Sequence, residues 1–244
     1  MHWIYLSPHL DDAALSAGGL IWEQSQAGES VSIWTLFAGD PAPGALSPFA
    51  ESLHTRWGVG REAIAARRAE DHRACRILGA RPYHFAIPDC IYRTSDQTHR
   101  HLYASEESLF GEVHPDEKIL IQKIGQMLGD KIPPDVQVVC PFALGGHVDH
   151  RLTRAAAQRL DRPLAYYADY PYLLENPGWD PGQFSSTLHP VSAEGVAAWQ
   201  NAVAEHHSQI STFWQNTDEM RVEIQAYARE MGGVKLWLTP ELMF

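Results

Sequence analysis

The chain is poor in cysteine, in basic residues and in long apolar runs. Its 3 cysteines among 244 residues, Cys75, Cys90 and Cys140, are scattered without the paired spacing of a disulfide framework or a zinc knuckle. They read as buried or free thiols, which implies a reducing compartment and a cytoplasmic location. No stretch reaches the roughly 18 apolar residues of a spanning helix. The N-terminus enters a strand directly, so no secretory signal is expected. Lys and Arg total 19 against 30 Asp and Glu, a net charge of −11. That balance argues against nucleic acid or an anionic membrane surface as the main partner, because both need a basic footprint. Also missing is a G-x-G-x-x-G turn. Gly18-Gly19 lies two turns into a helical stretch, which makes a nucleotide-binding module a weak reading. There is no internal repeat and no low-complexity segment.

What is present begins at Ser7-Pro8-His9-Leu10-Asp11-Asp12. Trp3 to Leu6 read as a buried strand, and Ala13 to Trp22 as a helix with an apolar face, so the motif occupies a strand-to-helix turn. In an open α/β sheet such turns line the carboxyl edge, where ligands bind. One Asp at a helix start is explained by capping. A His followed by two carboxylates is not, and the spacing of His9 and Asp12 lets one turn aim both at a common point. A second crossing repeats the pattern. The β-branched run Val136 to Cys140 precedes Pro141-Phe142-Ala143-Leu144-Gly145-Gly146-His147-Val148-Asp149-His150, and a helical composition follows from Arg151 to Leu160. Asp149, beside His150, is expected to accept its spare ring N–H and so fix its tautomer. Imidazole and carboxylate donors are those zinc takes, and three protein ligands plus water make a catalytic site.

Together these two motifs resemble the signatures of the PIG-L/LmbE-like zinc-dependent N-deacetylases, which act on N-acetylglucosamine in glycoconjugates. The more usual first motif reads AHPDD; here Pro8 and Leu10 replace two residues that carry no chemistry. Phe37-Ala38-Gly39, the Arg67-Arg68-x-Glu70-Asp71 pattern and Ile91-Tyr92-Arg93 are most similar to the branch containing teicoplanin-type glycopeptide deacetylases. The resemblance implies one domain over residues 1–244 with His9, Asp12 and His150 as metal ligands. It implies Asp11 as the general base for the water that the metal activates, and His147, as imidazolium, as the group stabilising the oxyanion. Arg67 is implied as a residue at the site edge that meets substrate, although Arg67 and Glu70 also stand at the spacing of a surface ion pair. The cofactor implied is Zn2+, with Fe2+ or another divalent ion open because affinity alone does not select zinc.

The remaining chain fits a single Rossmann-like α/β domain with a mostly parallel sheet flanked by helices. A second strand covers Val31 to Phe37, and residues 40–60, rich in Pro and Gly, read as a long irregular loop. Its Phe49, Leu53 and Trp57 pack on the domain or stack on a sugar, with packing expected for two of the three. A helix is expected from Arg61 to Leu78, ended by Gly79, and a third strand at Tyr83 to Phe85. Asp89 and Arg93, just beyond it, are candidates for sugar hydroxyls and for an anionic part of the substrate; a turn residue and a solvated charge are equally good readings. His99 and His101 lie on a polar loop without a carboxylate to complete a metal set. A helix is expected from Pro115 to Leu128, a strand from Leu164 to Ala168 and an aromatic loop from Asp169 to Gly182. A late strand at Thr187 to Val191, one helix from Ala193 to Trp214, another from Asp218 to Met231 and an edge strand at Lys235 to Leu238 complete the chain. His206 and Gln209 resemble a late family pattern that supports the site. The partner is then a small glycoconjugate, with homo-oligomerisation left open. The alternatives are a metal-dependent phosphoesterase or another amidase on the same ligands, though two-metal phosphoester chemistry needs more ligands than are found, and a catalytically silent sugar-binding protein.

Overall fold

The computed structural model describes residues 1–60, 62–176 and 178–238. Its strands are β1 (His2–Ser7), β2 (Ser30–Thr35), β3 (Arg81–His84), β4 (Gln137–Pro141), β5 (Ala165–Tyr167), β6 (Ser185–His189) and β7 (Val234–Leu238). Its helices are α1 (Asp12–Gln26), α2 (Pro48–Arg56), α3 (Ala63–Leu78), α4 (Glu106–Leu109), α5 (Lys118–Lys131), α6 (Val148–Ala157), α7 (Ala193–Ala204), α8 (His207–Phe213) and α9 (Thr217–Met231). The strands form one sheet in the order β3-β2-β1-β4-β5-β7-β6. The first five run parallel, and β7 is antiparallel to both β5 and β6.

Both faces of the sheet are covered, which is why its inner strands read as nearly continuous apolar runs. Tyr5, Ile33, Val139 and Tyr167 point into a core built with α1, α3, α7 and α9. Ile4, Leu6, Val138, Cys140 and Tyr166 point the other way, into a core with α5 and α6. A third cluster, including Leu53, Ile64, Ile91, Tyr92, Tyr103, Leu109 and Val148, lies beneath α2 and α4. Gly18 and Gly19 sit where Trp199 crosses α1: a Cβ on Gly18 would stand 2.6 Å from the indole Cδ1. These glycines seat a fully buried Trp whose Nε1 donates to Leu15 O at 3.1 Å.

Several expected boundaries move. Residues 40–60 contain α2, begun by Ser47, whose side chain accepts from Ala50 N–H, and by Pro48 in the first turn; this is an ordinary start signal. Pro115–Glu117 is a separate 3₁₀ turn ahead of α5. The single helix expected from Ala193 to Trp214 breaks at Glu205-His206, and Glu70 from α3 accepts the Ser208 N–H at 3.0 Å to start α8 afresh. Strand β7 lies between two neighbours, and β6 is the edge. Arg61, expected to open α3, lies outside the described residues. Among the described residues no helix is long and apolar enough to cross a membrane, and Cys75, Cys90 and Cys140 are free and buried.

Candidate active site

The chain leaves β1 toward one side of the sheet and leaves β4, its neighbour, toward the other. The crevice at this reversal of strand order is where an open α/β sheet binds ligands, and both motifs open into it. From the β1 turn, the His9 N–H donates to Asp12 Oδ2 at 2.7 Å, and His9 Nδ1 stands 3.3 Å from the same oxygen. From the β4 side, His150 Nε2 stands 3.4 Å from Asp12 Oδ1. One carboxylate thus faces a nitrogen of each ring. The rings of His9, His147 and His150 each bring a nitrogen within 4.8 Å of the others. Asp11 makes no capping hydrogen bond to α1, so the capping explanation fails for it; its side chain lines the cavity, with Oδ1 3.6 Å from an Arg67 guanidinium nitrogen.

The outer nitrogens of the two histidines are each held by a buried carboxylate. His9 Nε2 meets Asp149 Oδ2 at 3.0 Å, and His150 Nδ1 meets Asp169 Oδ1 at 2.6 Å. This corrects the expected pairing of Asp149 with His150. Neighbours on one helical turn point apart, and Asp149 turns toward β1 while Asp169, from the exit of β5, reaches His150. Asp149 is further tied by the Cys90 N–H at 3.0 Å and by Arg93. Arg93, expected to meet substrate, is not among the residues that line the cavity. It is buried, bonded to Glu117 and Asp149, and its guanidinium lies 4.8 Å over the Phe37 ring. Asp89 does line the cavity; its Oδ1 accepts the Ile91 N–H at 3.2 Å and its Oδ2 is 3.6 Å from His9 Nε2.

The electrostatics follow from this packing. Burial pushes Asp11 up, and so does the adjacent Asp12 carboxylate, against the opposing pull of Arg67, His206 and His9. Burial acts on Asp12 too, but the facing His150 and His9 hold it well below the usual carboxylate range. His150 is also penalised by burial, yet Asp12 and Asp169 on either side raise it to about 10. Surroundings that hold a proton between Asp12 and His150 favour a divalent cation still more. His147, expected as an imidazolium, is instead held well below the usual imidazole range by burial and by His9 and His150. Its Nδ1 accepts the Asp149 N–H at 3.2 Å, so the one proton of the neutral ring sits on Nε2 and still makes it a donor. The donor set, two imidazole nitrogens around a carboxylate with both rings braced by acids, fits a zinc-like ion.

The cavity over these groups has a volume of about 460 Å³. Phe49, Leu53 and Trp57 all line it, so packing and wall duty coincide in them. Arg67 lies 4.9 Å over the Trp57 ring, and Glu70 bonds Ser208, not Arg67. Across the cavity, Phe110 meets the His147 ring edge-on at 5.6 Å and Tyr172 meets His150 at 5.9 Å. Gln209 joins the lining. His206 is buried with neither ring nitrogen bonded among the described residues, and His207 is exposed. His99 and His101 take no part in the cluster. Asp169 is the residue the sequence reading missed. A carboxylate at a strand exit next to an aromatic turn was its only signal.

Residues 4–160 match the family PIG-L: GlcNAc-PI de-N-acetylase. A 2'-N-acetylparomamine deacetylase of Niallia circulans is 31% identical over 225 residues, 81% of this chain and 79% of that protein. Two solved structures share the fold almost end to end. The zinc-inhibited form of teicoplanin deacetylase Orf2 is 28% identical with a TM-score of 0.84, covering 98% of this chain and 97% of the other. The A40926 pseudoaglycone deacetylase Dbv21 is 29% identical with a TM-score of 0.74, covering 97% and 96%. The cavity at the sheet reversal, its histidine and carboxylate cluster and these likenesses lead to one assignment: the chain belongs to the PIG-L family of de-N-acetylases, metal-dependent hydrolases of an N-acyl amino sugar.

Proposed function

We propose that the chain removes the N-acetyl group from a glucosamine-type sugar carried on a small natural-product scaffold. The observation that carries this reading is the convergence, around one cavity, of the Asp12-centred donor set, the uncapped Asp11 and the Nε2–H of His147. Among the proteins that resemble the chain are a 2'-N-acetylparomamine deacetylase and a teicoplanin deacetylase, which supports an acetylated natural product as substrate.

His9 Nδ1, Asp12 and His150 Nε2 would hold the cation, for which zinc is the best match to the donors. Bound there, it supplies Lewis acidity, which polarises a carbonyl and brings the pKa of water from 15.7 to about 7. Asp11 takes the proton of the attacking water and passes it to the leaving amine. Its place on the cavity wall, free of any capping bond, suits both halves of that task. His147 donates its Nε2–H to the carbonyl oxygen as negative charge grows, a contribution of about 2.7–4 kcal/mol for one such donor. Water adds to the acyl carbon, the C–N bond breaks, and acetate and a free amine leave. Arg67 beside Asp11, and Asp89 across from it, are proposed to meet the sugar, while Phe49, Trp57, Phe110 and Tyr172 offer faces for the ring and its scaffold. The three buried thiols are in keeping with a reducing compartment such as the cytoplasm.

The test is acetate release from a panel of N-acetylglucosamine conjugates, with chelator and then with added zinc. Release abolished by chelator and restored by zinc is the expected result, and the best substrate identifies the scaffold. No release on any conjugate, from protein holding about one metal, would favour a different acyl group or the phosphoesterase alternative.

A further inference from the structure

We propose that Asp169 is a positioning residue that does two jobs with one carboxylate: it fixes which nitrogen of His150 carries the proton, and it sets the turn that delivers His147. The proposal deepens the hydrolase reading and rests on it for the meaning of turnover, but its metal and spectroscopic readouts stand independently.

Asp169 is 1% exposed. Its Oδ1 lies 2.6 Å from His150 Nδ1, and its Oδ2 accepts the Leu144 N–H at 2.8 Å. An ionised carboxylate only accepts, so His150 Nδ1 must be the donor. Nε2, 3.4 Å from Asp12 Oδ1, is then the nitrogen left to bind a cation once a cation displaces its proton. Leu144 opens a tight turn in which Ala143, Gly145 and Gly146 have φ of 64°, 76° and 79°. Left-handed backbone is unfavourable for Ala143, and the Leu144 bond to Asp169 is one of the contacts holding it. The next residue after that turn is His147. The same acid therefore controls the spacing between two rings whose centroids are 5.3 Å apart.

Asp149 does comparable work for His9, but it has Arg93 and the Cys90 N–H behind it. Asp169 has no guanidinium partner among the described residues; its bonds go to His150 and Leu144. Replacing it by Asn keeps size and shape but offers one oxygen and one NH2. The amide cannot accept from both neighbours. With its oxygen on Leu144, its NH2 donates to Nδ1 and moves the ring proton to Nε2, the nitrogen that faces Asp12. Turned the other way, it leaves the Leu144 N–H unsatisfied and releases the His147 turn.

The experiment compares wild type, D169N and D169E. Zinc affinity is measured by competition with a chromogenic chelator, the His150 tautomer by 15N NMR, and kcat and KM at saturating zinc. We expect zinc binding in D169N to weaken 10–100-fold, the range for such outer partners of a ligating histidine. The Nδ1-protonated tautomer should disappear, and kcat at saturating zinc should fall with KM unchanged. D169E, which keeps two acceptors, should recover part of the affinity. Zinc affinity in D169N within about threefold of wild type, with Nδ1 still protonated, would overturn the proposal. So would finding His150 Nδ1 without a proton in the zinc-loaded wild type, a result that requires no variant to fold. Loss of zinc affinity in D169N, together with wild-type protein that releases no acetate from any substrate, would leave the positioning role standing and remove the hydrolase reading.

Discussion

Replacing Asp11 by Asn separates proton transfer from metal binding. The side chain is 5% exposed, lines the cavity and caps nothing, so an isosteric amide leaves α1 and the neighbouring Asp12 in place. It cannot take a proton from water. Loss of a general base typically lowers the rate 10²–10⁴-fold, about 2.7–5.4 kcal/mol of barrier at 1.36 kcal/mol per factor of ten. D11N should show that loss in kcat/KM for acetate release while metal content, measured on dialysed protein, stays at the wild-type level. The pH profile supplies the second readout. In wild type, kcat/KM rises with pH as Asp11 ionises. In D11N that limb should vanish. Retention of more than about a tenth of wild-type activity, or an unchanged acid limb, would refute the assignment of Asp11 as base. Loss of metal would instead mean that Asp11 and Asp12 share the ion.

Arg93→Met leaves Glu117 and Asp149 without their buried cation, which typically costs about 3–5 kcal/mol; at about 2–4 °C per kcal/mol for a chain of this size, Tm should fall by about 6–20 °C. A raised KM with unchanged Tm would return Arg93 to the substrate. Gly18→Ala drives a methyl into Trp199 and should destabilise by about 1–3 kcal/mol, seen in denaturant midpoint, with kcat/KM of the folded fraction unchanged. Phe110→Ala opens the wall beside His147 and should change the ranking of conjugates more than the rate on the simplest one; an equal loss on all of them would tie Phe110 to His147 itself.

The parts of this fold that were legible in the sequence are those in which a local pattern and the tertiary environment agree. Val138, Val139 and Cys140 are apolar because each is buried, on alternate faces of one strand. The His9–Asp12 pair met as its spacing suggested, since one turn contains both. Where the partner came from elsewhere in the chain, local pattern failed. Asp149 was assigned to its sequence neighbour, whereas its partners arrive from β1 and from the segment after β3. Asp169 carries no local signal because its role is defined only by His150, from the first turn of α6. Arg93, charged and near the sheet edge, looked like a ligand group; two carboxylates buried beside it make it structural instead. The break at Glu205-His206 depends on Glu70, a residue of α3 that helical periodicity in 193–214 does not register. Helix α2 is different, because Ser47-Pro48 was a readable start signal obscured by the density of Pro and Gly around it.

The reversal of strand order between β1 and β4 also bears on how the protein is made. His9 and Asp149 are 140 residues apart, and Asp169 comes later still. During synthesis the first half of the centre is therefore present long before the second. A nascent chain that has completed β1, β2 and β3 holds His9 and Asp12 but nothing to close around an ion. With the proposed ligands, an ion meets its full donor set only after β4 has paired with β1, and the acid behind His150 only after β5 has paired with β4. An ion that binds the finished fold and not the unfolded chain stabilises it by RT ln(1 + [M]/Kd). On the proposed ligand set, the centre is completed late in assembly, once β5 is in the sheet.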